Sequence, residues 1–272
     1  MPVSGIAEAR PNQAVLLAAG RGSRTGMLCA DRPKALLPLA GRSLLDRNID
    51  ALRAVGIRRL CIVGGWRIEA LHAWHAQQSR PDIEIDIIEQ PRWAQSGPAG
   101  SLRRAQTWLQ RDSTLVLYGD CVYAPPALQA SLAGFASGLR VPGDRRWAAL
   151  WRQRFVQPLN DAERWRSADG RLLAIGGRAE SLEAEGAQFM GLCLFGVEAW
   201  TRTLDTLRAL HPDEADIDRL DFTGVFARLL AAGQGIDCIE LDGGWLEVDS
   251  AEDLALYEER LANKGAMHGL LA

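Results

Sequence analysis

Residues Leu17–Leu39 read L-A-A-G-R-G-S-R-T-G-M-L-C-A-D-R-P-K-A-L-L-P-L. They continue directly from the apolar run Ala14–Ala18 (A-V-L-L-A), which reads as a buried strand. Gly20, Gly22 and Gly26 let backbone N–H groups turn toward an anion without interference from a Cβ. Arg21, Arg24, Arg32 and Lys34 surround the turn, and the only carboxylate among them is Asp31. A strand running into a glycine-rich, cationic loop makes a phosphate site of triphosphate size, and in α/β sheets such sites lie at the carboxyl ends of parallel strands. The spacing is not that of a Walker loop, G-x-x-x-x-G-K-[ST]. Nor is it a dinucleotide fingerprint, since no third glycine opens a helix.

Outward from this loop, strands and helices alternate. Ser43–Val55 carries Leu44, Leu45, Ile49, Leu52 and Val55 at helical spacing, and Leu60–Val63 is a strand stopped by Gly64-Gly65. Ile68–Ala76 reads as a helix, Ile83–Ile88 as a strand, Ser101–Gln110 as a helix and Thr114–Tyr118 as a strand. This alternation predicts βαβ units and a parallel sheet. From about Val141 the pattern changes. Ala148–Phe155, Arg171–Ile175 and Phe189–Phe195 read as strands with little helix between them, and Asp161–Gly170 as a polar loop or hairpin. Val197–Leu210 and Asp218–Ala232 read as helices and Ile236–Leu241 as a strand; a last helix begins at the N-cap Ser250, with Asp253 three residues on. The second half reads as an insertion packed on the first, not as a separate bead.

The chain of 272 residues carries 31 Lys and Arg against 34 Asp and Glu, a net charge of −3. That balance gives no global attraction to nucleic acid or to an anionic membrane, so neither is expected as a partner. No apolar run approaches the ~18–20 residues of a transmembrane helix, and the first ten residues lack a basic start followed by an apolar block. Cys29, Cys61, Cys121, Cys193 and Cys238 are odd in number and form no C-x-x-C, which points away from disulfides and zinc and toward reduced thiols in a cytoplasmic protein.

Two acidic elements complete the pattern. Thr114–Tyr123 reads T-L-V-L-Y-G-D-C-V-Y and places Asp120 at the carboxyl edge of a strand. Trp245–Leu254 reads W-L-E-V-D-S-A-E-D-L, with Asp249 just before a helix cap. Each alone reads equally as a turn aspartate or a capping aspartate.

In this order the segments resemble the nucleotidyltransferases that join an NTP to a phosphorylated sugar or small alcohol. Their signature runs roughly L-A-A-G-x-G-x-R, eight residues, then P-K; here Arg24 is followed by the eight residues Thr25–Arg32 and then Pro33-Lys34. Cys29 stands where the family often has threonine, and Thr25 where it has leucine. The resemblance implies an α/β fold of three layers with a Rossmann-like mixed sheet, in a single domain spanning 1–272. Within it, about 10–140 would be the nucleotide half, about 141–245 an interleaved acceptor half, and 246–272 would carry the metal aspartate and C-terminal helix. It implies Mg²⁺ held by Asp120 and Asp249, with Asp120 also facing the acceptor. Lys34 would neutralise charge growing on the α-phosphoryl oxygens, and Arg24 would hold the β and γ phosphates. The backbone of Leu17, Ala18, Ala19, Gly20, Arg21, Gly22 and Ser23 would bind the nucleotide.

The segment Gln90–Arg104 (Q-P-R-W-A-Q-S-G-P-A-G-S-L-R-R) corresponds to the family's base and ribose loop. It offers Gln95, Ser96, Gly97 and Ser101, although Ser101 reads equally as a helix cap. D-R-P-K-A-L-L-P-L-A-G-R-S-L-L-D-R and W-L-E-V-D-S-A-E-D-L look most like the bacterial choline-phosphate type of cytidylyltransferase, which favours CTP. That branch often has N-N before S-L in the base loop; this chain has S-G-P-A-G, nearer the G-x-A-G of sugar-type enzymes. Arg178 falls where a lysine usually grips the acceptor phosphate, and reads equally as an exposed loop arginine. Trp147, Trp151 and Trp165 are either core or an aromatic box for a quaternary ammonium. His72 and His75 lack a third ligand, and Asp213–Asp221 reads as a solvated helix start or as a magnesium or acceptor contact.

The expected function is Mg²⁺-dependent transfer from an NTP, CTP favoured, to a small phosphorylated acceptor, with pyrophosphate released. The rivals are a sugar-1-phosphate uridylyl-, thymidylyl- or guanylyltransferase, and a non-catalytic nucleotide-binding module. A homo-oligomer remains open at this point.

Overall fold

Every residue of β1 (Gln13–Ala18) is buried. Ala14, Leu16 and Ala18 pack into one core, Val15 and Leu17 into another on the opposite face. A strand covered on both faces needs apolar side chains at every position, so its sequence is a run and not an alternation. The structure, a computed structural model, describes residues 10–263 apart from the side chains of residues 23–25.

After the phosphate loop a small hairpin, β2 (Pro38–Leu39) with β3 (Arg42–Ser43), leads into α1 (Leu44–Ala54), capped by Ser43, whose hydroxyl accepts the Asp46 N–H. Then follow β4 (Arg59–Gly64), α2 (Ile68–Ala76), β5 (Glu84–Glu89), α3 (Pro98–Arg104), α4 (Gln106–Leu109) and β6 (Thr114–Tyr118). Strands β5, β4, β1 and β6 are parallel neighbours in that order. Their carboxyl ends therefore share one edge, and the loops after Ala18, Gly64 and Tyr118 meet there.

The second half extends the same sheet. It runs through β7 (Cys121–Tyr123), α5 (Pro125–Leu132), β8 (Leu139–Asp144), α6 (Trp147–Arg154), β9 (Glu163–Ala168) and β10 (Arg171–Arg178). It continues with β11 (Gln188–Phe189), β12 (Leu192–Phe195), α7 (Val197–Leu210), α8 (Glu214–Asp218) and α9 (Phe222–Ala231). It closes with β13 (Ile236–Leu241), β14 (Trp245–Glu247) and α10 (Ala251–Ala262). The sheet order is β5-β4-β1-β6-β12-β8-β13-β10-β9, with β12 antiparallel to both neighbours. Helices α1, α5 and α6 lie over one face, and α3, α7 and α9 over the other. The three-layer mixed α/β fold expected from the sequence is the one observed.

Four local expectations need correction. Ala148–Phe155 is not a strand: Trp147, Leu150 and Trp151 are all buried at i, i+3 and i+4, the helical period, and form α6. Phe189–Phe195 is interrupted at Gly191, which has φ +65° and where a Cβ would lie 3.0 Å from the Cys121 sulfur. The helix expected over Asp218–Ala232 starts later, at Phe222, because Asp218 ends α8 and the Asp221 side chain caps the new start by accepting the Gly224 N–H at 2.7 Å. The helix expected from Ser101 begins earlier, at Pro98, with Gly97 as its N-cap. Of the two readings of Asp161–Gly170, the hairpin holds: β9 returns as β10 through Asp169-Gly170, both at positive φ.

Candidate active site

The phosphate loop leaves β1 at Ala19, whose carbonyl accepts the Trp66 N–H at 2.9 Å from the loop after β4. Gly22 has φ +68°, and a Cβ there would lie 2.6 Å from two carbons of the Lys34 side chain. Only glycine serves at this position, on conformational and on steric grounds. Lys34 opens a short 3₁₀ turn after the extended Pro33 and is 9% exposed. Its ammonium donates to Asp120 Oδ2 at 3.2 Å and to Asp249 Oδ1 at 2.5 Å.

The two aspartates, far apart in sequence, are joined by a short ladder. Strand β14 pairs antiparallel with β7, Glu247 opposite Cys121, and the Val248 N–H donates to the Asp120 carbonyl at 2.9 Å. Asp249 follows at the start of α10, where Ser250 and Asp253 form a capping box. A third carboxylate, Glu247, joins them. Asp120, Glu247 and Asp249 each present an oxygen, all within 4.8 Å of one another.

Burial alone would lower the Lys34 pKa, but Asp120 and Asp249 outweigh it and hold it well above the usual lysine range. The side chain is thus a fixed positive charge. Burial pushes Glu247 up to about 7; Arg154 opposes the rise, and the neighbouring Asp120 and Asp249 reinforce it. Three hard oxygen donors packed this closely repel one another, and they suit a divalent ion such as Mg²⁺, which takes a few carboxylates together with substrate phosphate oxygens.

Two cavities flank this cluster. One, of about 100 Å³, is walled by Leu17, Ala18, Gly20, Gly22, Lys34 and Asp120. The other, of about 210 Å³, has Glu247 in its wall. Its remaining carboxylates are Asp161, Glu163 and Asp221, and its rings are Tyr118, Trp151, Phe189 and Trp245. Among the described residues no lysine or arginine lines it. Burial, with Asp221 and Asp161 close by, raises Glu163 to about 7 against the pull of its hydrogen bond from Thr223.

The sequence-predicted residues separate into groups. Leu17, Ala18, Gly20, Gly22, Lys34, Asp120 and Asp249 lie together. Ala19 is buried beside them; Arg21 is exposed and stacks over Trp66 at 4.8 Å. The side chains of Ser23 and Arg24 lie outside the described residues. The base-loop candidates line neither cavity. Gln95 is exposed, and Ser101 is buried inside α3. Ser96 accepts a hydrogen bond from Gln90 at 3.1 Å, and the Gly97 N–H donates to the Asp218 carbonyl at 2.7 Å. A Cβ on Gly97 would lie 2.6 Å from the Arg219 and Leu220 carbonyls, so this segment is occupied with close packing against residues 218–220. Arg178 is exposed, bonds Asn160 at 3.2 Å and sits opposite Glu163 in the β9–β10 ladder, and it does not line the larger cavity.

Of the three tryptophans, Trp147 and Trp165 are core, Trp165 donating to Glu240, while Trp151 is a cavity wall. His72 and His75 are exposed and belong to no metal-ligand group among the described residues. In the run Asp213–Asp221, Asp213 and Asp221 cap helices, and Asp221 also faces the larger cavity. Sequence reasoning missed Glu247, although it stands two residues before Asp249. It also missed Glu163, which carries no motif at all. All five cysteines are buried and free, and among the described residues no helix is long and apolar enough to cross a membrane.

A cationic loop and an acidic triad at the carboxyl edge of a mixed α/β sheet define an NTP-dependent transferase. The sequence profile of the MobA-like NTP transferase domain matches residues 14–186, and this chain belongs to that family. The CTP:phosphoglutamine cytidylyltransferase of Campylobacter jejuni is 27% identical over 258 residues, covering 91% of this chain and 99% of that protein. Two solved structures share the fold. The inositol-1-phosphate CTP transferase of T. maritima matches with a TM-score of 0.71 at 17% identity, covering 93% of this chain and 98% of that one. The CTP:phosphocholine cytidylyltransferase of Streptococcus pneumoniae matches with a TM-score of 0.66 at 16% identity, covering 92% and 98%. The protein is a nucleotidyltransferase.

Proposed function

We propose that the protein transfers a cytidylyl group from CTP to a small acceptor bearing both a phosphate and an ammonium group, in a reaction that depends on Mg²⁺. The observation that carries this reading is the placement of Lys34, Asp120, Glu247 and Asp249 between two cavities, one lined by the phosphate loop and the other acidic and aromatic. The preference for CTP is supported by the full-length relative and by both structural neighbours described above.

An oxygen of the acceptor phosphate attacks the α-phosphorus, the bond from that phosphorus to the bridging oxygen breaks, and pyrophosphate leaves. Both reactants are polyanions. The loop N–H groups and Lys34 offset their charge, and Lys34 meets the negative charge growing on the α-phosphoryl oxygens. No protein nucleophile is required, because the acceptor phosphate already is one. A divalent ion held by Asp120, Glu247 and Asp249 would supply further charge neutralisation and polarise the phosphorus under attack. The larger cavity selects the acceptor's other end: carboxylates at Glu163, Asp161 and Asp221 offset a positive charge, and the rings give it faces to rest on. A neutral sugar would leave that concentration of negative charge uncompensated.

The test is pyrophosphate release with CTP, UTP, dTTP and GTP against phosphocholine, 3-aminopropylphosphonate, inositol-1-phosphate and glucose-1-phosphate. Turnover with CTP and an ammonium-bearing acceptor is expected; turnover confined to the neutral acceptors would sink the acceptor assignment.

Glu163 gives the assignment a second check. Glu163→Gln should raise the KM for the ammonium-bearing acceptor about 10–100-fold, the equivalent of one charge-assisted hydrogen bond, with the KM for CTP unchanged. In the unaltered protein the acceptor KM should fall as pH rises through about 7, where Glu163 ionises. The stability effect has the opposite sense. A carboxyl raised from 4.5 to about 7 stabilises the fold fully below pH 4.5 and loses that contribution as pH rises through 7. Glu163→Gln should therefore raise Tm relative to the unaltered protein at pH 8 and not at pH 5. A Tm difference that does not change with pH would contradict this.

A further inference from the structure

Arg154, at the end of α6, has a fully buried side chain whose two partners both belong to the catalytic edge. Its Nε and Nη2 bond the two carboxylate oxygens of Asp253, each at 2.9 Å, and Nη1 bonds Glu247 Oε2 at 3.0 Å. Asp253 Oδ2 in turn accepts the backbone N–H groups of Asp249 at 2.9 Å and Ser250 at 3.1 Å. One guanidinium thus grips a carboxylate of the acidic triad directly, and the backbone of another through a single intermediary. It lies over the rings of Trp151 and Phe155, at 5.0 and 4.8 Å, and Trp151 packs on Trp245 in the wall of the acceptor cavity.

Stability alone is a poor account of this arrangement. Apolar side chains of similar volume often replace a buried ion network at no cost, or with a gain. What the planar five-donor fork supplies that an apolar group lacks is fixed geometry: it holds two carboxylates in one plane at one separation. The cations also divide the triad between them, Lys34 bonding Asp120 and Asp249 while Arg154 bonds Glu247.

We infer that Arg154 is a positioning residue of the metal centre, holding Glu247 and the Asp249 backbone in the arrangement that receives the divalent ion. This rests on the nucleotidyl-transfer reading above. Because Arg154 lines neither cavity, its loss should weaken metal binding and leave the CTP site intact.

The experiment measures Mn²⁺ affinity by electron paramagnetic resonance for the full chain, Arg154→Met and Arg154→Lys. It is paired with the Mg²⁺ midpoint for activity, KM for CTP at saturating Mg²⁺, and Tm. Arg154→Met should bind Mn²⁺ at least tenfold more weakly and shift the Mg²⁺ midpoint by the same factor, with KM for CTP changed less than threefold. Arg154→Lys, which keeps the charge but loses the planar fork that holds Asp253 through two parallel bonds, should fall between. An unchanged Mn²⁺ affinity and Mg²⁺ midpoint in a folded variant, whatever its Tm, overturns the proposal. If Arg154→Met does not fold, Arg154→Lys decides by the same criterion. Failure of the unaltered protein to bind Mn²⁺ at all would remove the metal reading, and this proposal with it.

Discussion

Replacing Lys34 by methionine should lower kcat about 10²–10³-fold while the protein stays folded. The loss corresponds to about 3–4 kcal/mol of transition-state stabilisation, the order seen when a donor aimed at developing negative charge is removed. Methionine is close to the lysine stem in length, so it fills the space under Gly22 where the Lys34 carbons lie. What disappears is the charge. Its neighbours hold Lys34 protonated at every workable pH, so it acts as an electrostatic group and not as a base, and no limb of the pH–rate profile should belong to it. Removing one partner of a buried ion cluster also takes the ammonium from between Asp120 and Asp249, while Glu247 keeps its bond from Arg154. That should destabilise the fold by about 3 kcal/mol without divalent metal. Added Mg²⁺ should restore most of the lost Tm, because it returns positive charge to the same oxygens, and it should not restore kcat. Thermal unfolding with and without Mg²⁺, beside steady-state pyrophosphate release, separates the two effects. Turnover within threefold of the unaltered protein would sink the role assigned to this lysine.

Much of this site could be read from the sequence because its parts are local. The run A-V-L-L-A, the glycines after it and Pro33-Lys34 lie within one strand and one loop, and local chemistry fixes them: a covered strand must be apolar, and a backbone anion site needs glycine. Asp120 and Asp249 were visible for a similar reason, each at the end of its own short element. What stayed hidden depends on long-range packing. Glu163 opens a polar strand, and its neighbours in the cavity, Asp221 and Thr223, come from the start of α9, some sixty residues on. Arg154 sits in a segment where two and 3.6 are both tolerable periods. Only the burial of Trp147, Leu150 and Trp151 on one side decides for a helix, and that burial is a property of the assembled core. The base loop is hard to read for the same reason: Ser96, Gly97 and Ser101 have the composition of a ligand loop and of a packed turn alike, and their contacts with residues 218–220 and Gln90 come from distant packing.

Asp249→Asn should cut kcat by at least 10²-fold and raise the Mg²⁺ concentration for half-activity by at least tenfold, with Tm moved by only a few degrees. The side chain is 7% exposed and bonds the Lys34 ammonium, so an alanine there would leave a void and take away one of the ammonium's two carboxylate partners together. Asparagine keeps the shape and one carbonyl oxygen. The backbone is held independently, since the Asp249 N–H goes to Asp253, and the Ser250–Asp253 capping box secures the start of α10. The change therefore subtracts one negative charge from three and little else. With two carboxylates left, the site holds a divalent ion less tightly, and Lys34 settles on Asp120 alone. A structural aspartate and a metal-binding one then differ in a measurable way. A purely structural role predicts a fall in Tm with the Mg²⁺ dependence unchanged. A metal-binding role predicts the reverse, together with partial recovery of rate in Mn²⁺, which also accepts carbonyl oxygen. Activity in Asp249→Asn that saturates at the unaltered Mg²⁺ concentration would place the metal, and the chemistry derived from it, elsewhere.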